Sequence, residues 1–305
     1  MFEADVQWRE IRVGRHALEV PAVMIAEAQE RTYMHVSVRE LVRADDGAAE
    51  ALWAEQRAEV AALPAPPGQA PVIEASEPRP GLKQMIHFSS EYNPERVRLV
   101  ALLDPRAAKL EVAAEHFRGD PDVLVLFELD GFVDVTGAMA RMVLRTANAY
   151  RVPRPPGTPP PAPPRLYLAH GSLAVGFVRR EHARAELEHL DEAGERALLV
   201  VENQARGESP PTGLIDDTQD LVAAARGDLD MQPLGSGSRR VAGVRGEEVR
   251  LRIDSPGQRG FLFAFKHAES ELHPELSLRW TSGGTDLAAV TAIWERILGS
   301  VRRVG

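Results

Sequence analysis

The sequence has no cysteine among its 305 residues. This absence excludes disulfide bonds, thiolate catalysis and zinc or iron–sulfur sites that use cysteine ligands. Lysine is almost as scarce, since Lys83, Lys109 and Lys266 stand against 33 arginines. Arginine suits protein interfaces because its planar guanidinium forms bidentate pairs. We attribute most of this bias to the codon usage of a GC-rich genome, so the arginine content alone does not identify an interface.

Long apolar runs and a signal peptide are also absent. The longest purely apolar stretches, such as 123–127, are far too short to cross a bilayer, so no membrane span is expected. The N-terminus lacks the basic segment and following apolar run that define a signal peptide. The sequence as it stands therefore predicts a cytoplasmic protein, or a periplasmic one if an export signal has been removed from it.

The charge balance limits the choice of partner. The formal net charge is −9 at pH 7, with 45 acidic residues and 36 basic ones. A nucleic-acid-binding protein would show a basic face, so nucleic acid is not expected as a partner. A mildly acidic surface favours basic protein partners and steers them over long distances.

Proline is concentrated in one stretch near the middle of the chain. Residues 152–165 read V-P-R-P-P-G-T-P-P-P-A-P-P-R, and eight of these 14 residues are proline. Neither a helix nor a central strand can run through such a stretch, which forms a stiff polyproline II spacer. We therefore predict an N-terminal lobe at 1–151, a linker at 152–165 and a C-terminal lobe at 166–305. An SH3-type ligand is the alternative interpretation of the linker.

Hydrophobic periodicity predicts an α+β fold on both sides of the linker. Alternating segments such as 260–266 and 275–281 indicate half-buried strands. The charged segment 181–191 has the composition of a helix, and apolar residues at helical spacing predict four amphipathic helices. These four helices are expected at 48–63, 136–150, 214–226 and 286–301. Because strands cluster and helices follow them, we predict two similar lobes joined by the Pro-rich linker, each a mainly antiparallel sheet with helices packed on one face.

No catalytic motif has the spacing that its chemistry requires. The nearest match to a G-x-S-x-G nucleophile elbow, at 171–176, has the wrong spacing and no following helix. His182 and His189 lie seven residues apart, without the H-E-x-x-H pattern of a zinc site. Glu247 and Glu248 are adjacent on a predicted strand, so they point to opposite faces and do not form an acid–base pair. The sequence therefore predicts a binding protein, not an enzyme, with no cofactor and no metal.

Several short motifs in the second half occur in a characteristic order. They are L-Y-L-A-H-G-S-L at 166–173, V-A-G-V-R-G-E-E-V at 241–249, F-L-F-A-F-K at 261–266, P-E-L-S-L-R-W at 274–280, S-G-G at 282–284 and T-A-I-W-E-R-I-L-G-S-V-R at 291–302. In this order they resemble the C-terminal domain of immunity proteins that neutralise type VI secretion lipase effectors, the fourth Tli group. The segment V-G-R-H-A-L-E-V-P at 13–21 resembles the opening motif of the same family.

The resemblance implies a two-domain α+β protein that clamps a lipase toxin and blocks its substrate access or lid movement. It implies a 1:1 complex with a cognate lipase effector, which would protect the producing cell and its siblings. Motif residues are expected to be fold determinants, because immunity interfaces lie on variable loops. These motif residues are Gly14, Arg15, Gly243, Gly246, Glu247, Glu248, Trp294, Ser300 and Arg302. Toxin contacts are expected from loops that carry Asp216, Asp217, His267, Glu269, Glu271 and His273.

A secretion chaperone or adaptor is the alternative function. Strand clusters closed by a helix of this kind also resemble PsbP-like modules that hold an effector segment. A neighbouring lipase gene with a G-x-S-x-G motif would favour the immunity protein, and a neighbouring spike-protein gene would favour the adaptor. The sequence departs from the immunity family in one respect. Members that guard the periplasm carry an export signal, and none is visible in the sequence as it stands.

Overall fold

The computed structural model describes most of the chain. The described residues are 6–43, 45–90, 92–108, 123–152, 165–168, 172–175, 180–191, 194–205, 213–224, 230–255, 258–268 and 274–304. The proline-rich stretch 153–164 lies outside the described residues, and so do Glu269, Glu271 and His273.

Within the described residues, four α-helices form where the apolar spacing predicts them. They are α1 (Ala48–Ala61), α2 (Thr136–Ala149), α3 (Leu214–Ala224) and α4 (Leu287–Ser300). Helix α4 begins after Asp286, whose carboxylate accepts the backbone N–H of Ala289 at 3.0 Å. This side-chain cap satisfies one of the N–H groups that have no partner within the helix.

The same residues form strands that pair antiparallel. They are β1 (Trp8–Val13), β2 (His16–Pro21), β3 (Ile25–Tyr33), β4 (Val36–Val42), β5 (Val72–Arg79), β6 (Leu82–Phe88), β7 (Arg96–Leu103), β8 (Val123–Phe132), β9 (Tyr150–Arg151), β10 (Leu166–Tyr167), β11 (Ser172–Leu173), β12 (Glu181–Leu190), β13 (Arg196–Ala205), β14 (Met231–Val241), β15 (Val244–Ser255), β16 (Gln258–His267), β17 (Glu275–Gly283) and β18 (Arg302–Arg303). The predicted α+β class with antiparallel sheets is confirmed.

One predicted helix is a strand. The segment 181–191, assigned to a helix from its charged composition, forms β12. Ala183, Ala185 and Leu187 are buried and alternate with the partly exposed Arg184 and Glu186. This period of two is that of a half-buried strand, so the alternation outweighs the helical propensity of the individual residues.

The chain divides into two compact units at different places from those predicted. A continuous unit comprises Arg31–Gly176, and a discontinuous unit combines Met1–Glu30 with Phe177–Gly305. The predicted boundary at 152–165 is therefore wrong for the first 30 residues, which belong with the C-terminal part of the chain. The reason is strand pairing, because Ala17 on β2 lies opposite Arg302 on β18. Such a long-range pairing leaves no trace in local composition.

The continuous unit is built on one antiparallel sheet with the strand order β4-β8-β7-β6-β5. Helix α1 packs Trp53 and Val60 into an apolar cluster with Met85, Val100 and Leu102 of the sheet. Helix α2 contacts β4, β7 and β8. Burial of these side chains stabilises the unit by about 25 cal/mol for each Å² of apolar surface removed from water. Strands β9, β11 and β10 form a small separate sheet in the same unit.

The discontinuous unit contains the antiparallel strand order β14-β15-β16-β17-β13-β12. Helix α4 packs on this sheet, and its Trp294 meets Phe263 edge-on with ring centroids 6.1 Å apart. Trp280 on β17 is also fully buried. Helix α3 contacts β14 and β15, and strands β1, β2 and β18 form a small sheet that contacts α4.

Gly246 on β15 provides a test of how closely the strands of the discontinuous unit pack. A Cβ atom at this position would lie 2.5 Å from the Lys266 carbonyl oxygen and 2.5 Å from the Phe265 ring. We expect Gly246→Ala to lower the free energy of unfolding by about 1–3 kcal/mol, because either the backbone or the ring must move. Gly237→Ala is the matched control on β14, since its Cβ would meet nothing within 4 Å. Urea denaturation of both variants measures the difference, and equal midpoints would contradict the close packing at Gly246.

Candidate interaction surface

The turn between β1 and β2 is fixed in the discontinuous unit by a buried ion pair. Gly14 has φ +60°, and a Cβ there would lie 3.0 Å from the Cβ atoms of Ala183 and Asn203. The next residue, Arg15, is fully buried and donates Nε–H and Nη2–H to the two carboxylate oxygens of Glu181 at 2.7 and 2.8 Å. Its backbone N–H also points to Asn203 Oδ1 at 3.4 Å. The first motif residues therefore anchor the N-terminal hairpin to β12 and β13.

Glu248 and Trp294 are joined by a hydrogen bond beneath α4. The indole Nε1–H of Trp294 donates to Glu248 Oε1 at 2.7 Å. Arg250 donates to the same carboxylate at 2.7 Å and to Glu295 on α4 at 2.6 Å. Arg239 on β14 donates to Glu295 at 2.7 Å, so one charged network connects β14, β15 and α4.

The pKa values of this network shift as its ion pairs require. The hydrogen bond from Arg239 lowers the pKa of the Glu295 carboxyl, with partial burial opposing it and Arg250 adding to it. The same bond raises the pKa of Arg239. Both shifts favour the charged forms, so the ion pair between Arg239 and Glu295 is maintained around neutral pH.

The other motif residues also make contacts inside the discontinuous unit. Glu247 Oε2 accepts the backbone N–H of Ile215 at the start of α3, at 3.1 Å. Gly243 has φ +81° in the two-residue turn between β14 and β15. The Ser300 hydroxyl accepts the Glu19 N–H at 2.8 Å and donates to the Ile297 carbonyl at 2.7 Å. Arg302 forms an ion pair with Glu10.

The predicted toxin-contacting residues differ in their exposure to solvent. Asp216 and Asp217 are exposed in the first turn of α3, where the helix dipole favours acidic side chains. His267 is only 1% exposed, and its ring meets those of His16 and Phe265 edge-on. The expectation that His267 lies on an accessible loop is therefore wrong, because it is the last residue of β16.

A cavity that the sequence does not reveal opens at one end of the sheet in the discontinuous unit. Its volume is about 990 Å³, and it lies where β13 and β16 begin and where β15 and β17 end. Glu195, Arg196 and Arg259 contribute charge to its walls. Gly284, with φ +88°, also lines the cavity and approaches Glu195 closely, since a Cβ there would lie 2.7 Å from the Glu195 carboxylate. The start of β13 and the distant region from the end of β15 to the end of β17 form this cavity together, so no local motif indicates it.

Neither a metal site nor a membrane span is found among the described residues. In this part of the chain, no group of three His, Asp or Glu side chains is arranged to hold a metal ion. No helix in the described ranges combines the length and the apolar character that crossing a bilayer requires.

The architecture is that of solved immunity proteins of the type VI secretion system. The immunity protein TplEi from Pseudomonas aeruginosa, solved without a ligand, matches with a TM-score of 0.75 and 14% sequence identity over 97% of both chains. A chain of the Tle4–Tli4 complex matches with a TM-score of 0.74 and 15% identity, also over 97% of both chains. TplEi complexed with "L" peptide matches with a TM-score of 0.69 and 15% identity over 97% of this chain and 98% of that one. No family model and no curated protein matches the sequence.

These matches confirm, for the fold, the resemblance that the motifs indicate. They extend over both compact units, whereas the sequence motifs are concentrated between residues 166 and 302. At 14–15% identity, these matches show the fold and do not identify the partner of this chain.

Proposed function

We propose that the protein is an immunity protein that binds and inhibits a cognate type VI secretion lipase toxin in a 1:1 complex. It acts by binding and carries out no catalysis of its own. The observation that carries the proposal is the match of the whole fold, at 97% coverage, to a chain of the Tle4–Tli4 complex and to the immunity protein TplEi. The order of the sequence motifs supports the same family independently of the fold.

Inhibition of the lipase encoded beside this protein is the direct test. We expect the purified protein to co-elute with the catalytically inactive lipase and to abolish hydrolysis of a phospholipid vesicle by the active lipase at equimolar concentration. An unrelated lipase with the same G-x-S-x-G chemistry is the control and should keep its full rate. A cognate lipase that runs at full rate in excess protein would exclude the immunity function.

The acidic start of α3 is proposed to contribute to toxin binding. Asp216 and Asp217 are exposed, and Glu247 accepts the backbone N–H of Ile215 at the start of the same helix. We expect the double replacement Asp216→Arg/Asp217→Arg to weaken lipase binding about tenfold, with most of the change in the association rate, because exposed charges steer encounter. Glu55→Arg on the exposed side of α1 is the control for a change of surface charge. Binding kinetics at two salt concentrations measure the effect, and an unchanged association rate would remove α3 from the interface.

The compartment belongs to the same proposal, because inhibitor and toxin must meet. The cytoplasm and the periplasm are the two compartments proposed for this meeting. Fractionation of the producing cell with an antibody against the protein distinguishes the two compartments.

A further inference from the structure

The outer edge of β14 is open to a further strand. Strand β14 ends the strand order of the discontinuous unit, and in the described part of the chain it pairs only with β15. Only Val241, of its 11 residues, is buried. The backbone N–H and C=O groups on its outer side therefore form a template for another extended chain.

The hairpin geometry identifies which backbone groups face outward. Ala242 and Gly243 have φ of 51° and 81°, so they form a two-residue turn with both central residues in the left-handed region. In such a turn the Val244 N–H donates to the Val241 carbonyl, so Val241 and Val244 form a hydrogen-bonded pair. Because hydrogen-bonded and non-hydrogen-bonded pairs alternate, the N–H and C=O groups of Ser236, Ser238 and Arg240 point away from β15.

The two halves of β14 differ in how well they are protected against pairing. Pro233 lacks a donor, and the register shifts between Pro233 and Gly235, so the first half is a poor template. The second half, 236–240, has a continuous register with β15, and no proline lies in it. In the continuous unit, the terminal strand β5 has two register shifts and contains Pro78. The segment 236–240 therefore lacks the irregularities that protect β5.

Two arginines give this edge its charge preference. Arg240 lies directly opposite Arg245, and both are exposed. Arg240 donates to the Gly243 carbonyl at 3.4 Å and Arg245 to the Ser238 hydroxyl at 3.1 Å, and no described carboxylate pairs with either. Like charges directly opposite each other destabilise a strand pair. An acidic side chain placed against both guanidinium groups would relieve this repulsion by charge-assisted hydrogen bonds.

We propose that residues 236–240 of β14 bind an extended segment of the toxin as an additional strand, with an acidic side chain of that segment against Arg240 and Arg245. This inference rests on the proposed immunity function and names the mode of binding. Backbone hydrogen bonds along the edge supply affinity, and the arginine pair fixes the register of the added strand. The small side chains of Gly235, Ser236 and Gly237 leave room for the partner's side chains, since a Cβ at either glycine would meet nothing within 4 Å.

The first test removes one outward-facing donor without changing the fold. Ser236→Pro eliminates an N–H that β15 does not use, and proline is tolerated at such an edge position. We expect Ser236→Pro to bind the cognate lipase at least tenfold more weakly than Ser236→Ala, which keeps the N–H and adds no bulk. Titration calorimetry measures the affinities, and thermal melting verifies that both variants are folded.

The second test does not depend on proline being accommodated. We expect Arg240→Glu/Arg245→Glu to reduce the affinity for the lipase at least tenfold, whereas Arg57→Glu on the exposed side of α1 leaves it unchanged. In the wild-type complex, the amides of 236, 238 and 240 should exchange with solvent more slowly than in the free protein. These three amides are the groups that a paired strand would protect.

The binding, inhibition and exchange measurements distinguish a failure of strand addition at β14 from a failure of the proposed immunity function. If the wild-type protein fails to bind or inhibit the lipase, the immunity function itself is wrong. If the wild type inhibits while both β14 variants bind normally and the three amides exchange at unchanged rates, the immunity function stands and strand addition at β14 is excluded.

Discussion

Replacement of Arg15 by methionine is expected to lower the free energy of unfolding by about 3–5 kcal/mol. The side chains of Arg15 and Glu181 are 0% and 2% exposed, and they form a bidentate pair. Loss of the guanidinium leaves the Glu181 carboxylate buried without its charged partner, which costs more than the pair itself contributes. Chemical denaturation monitored by circular dichroism measures the change.

A double replacement distinguishes an unpaired charge from lost packing. Arg15→Met/Glu181→Leu removes both charges, so it should recover most of the stability that Arg15→Met loses. Arg259→Met is the control in the same unit, because the Arg259–Asp254 pair is 73% and 49% exposed. An exposed pair of this kind contributes at most about 1 kcal/mol. Equal losses for Arg15→Met and Arg259→Met would show that the buried pair does not anchor the N-terminal hairpin.

Trp294→Ala is the second replacement with a large expected effect. Trp294 is fully buried, packs edge-on against Phe263 and donates to Glu248. Removal of a buried indole leaves a cavity and should lower the free energy of unfolding by about 3–5 kcal/mol. Urea denaturation of the variant measures the loss, and helix α4 should be the element that loses protection first in hydrogen exchange.

A conservative variant divides this loss between packing and hydrogen bonding. Trp294→Phe keeps most of the apolar contact but deletes the N–H that Glu248 accepts, and should cost about 1–3 kcal/mol. Trp8→Ala is the matched control at a partly exposed indole, whose ring centroid lies 4.2 Å from the Arg296 guanidinium. Loss of this cation–π contact should lower the free energy of unfolding by about 1 kcal/mol. If Trp294→Ala and Trp294→Phe are equally destabilised, the hydrogen bond to Glu248, and not the core packing, is the main contribution.

The sequence predicts the elements of this fold better than it predicts their connections. Helices such as α2 and strands such as β16 carry their own period of apolar residues, so each can be identified from a short window. The charged composition of β12 predicts a helix, although the alternation of Ala183, Ala185 and Leu187 indicates a strand. The division between the units could not be predicted, because it depends on pairing between β2 and β18, almost 300 residues apart in sequence.

The interaction surface was predictable only in part. The exposure of Asp216 and Asp217 follows from their position in the first turn of an amphipathic helix. The burial of His267 depends on Phe265 and on His16 from a distant part of the chain, which no local pattern reveals. The position of β14 at an edge is a property of the whole sheet, which no local pattern reveals. The S-G-G motif at 282–284 indicated the family, and only the structure shows that it lines a cavity.

The pairing of β2 with β18 also has a consequence for synthesis on the ribosome. The continuous unit, Arg31–Gly176, can fold as soon as it has emerged, whereas the discontinuous unit must wait for partners that are translated much later. Until Arg302 has been synthesised, the N-terminal hairpin lacks the strand beside Ala17, and Arg15 lacks Glu181 until residue 181 has emerged. A nascent chain is therefore expected to hold the hairpin unassembled for most of its translation, and the discontinuous unit is complete only when the last strand has been added.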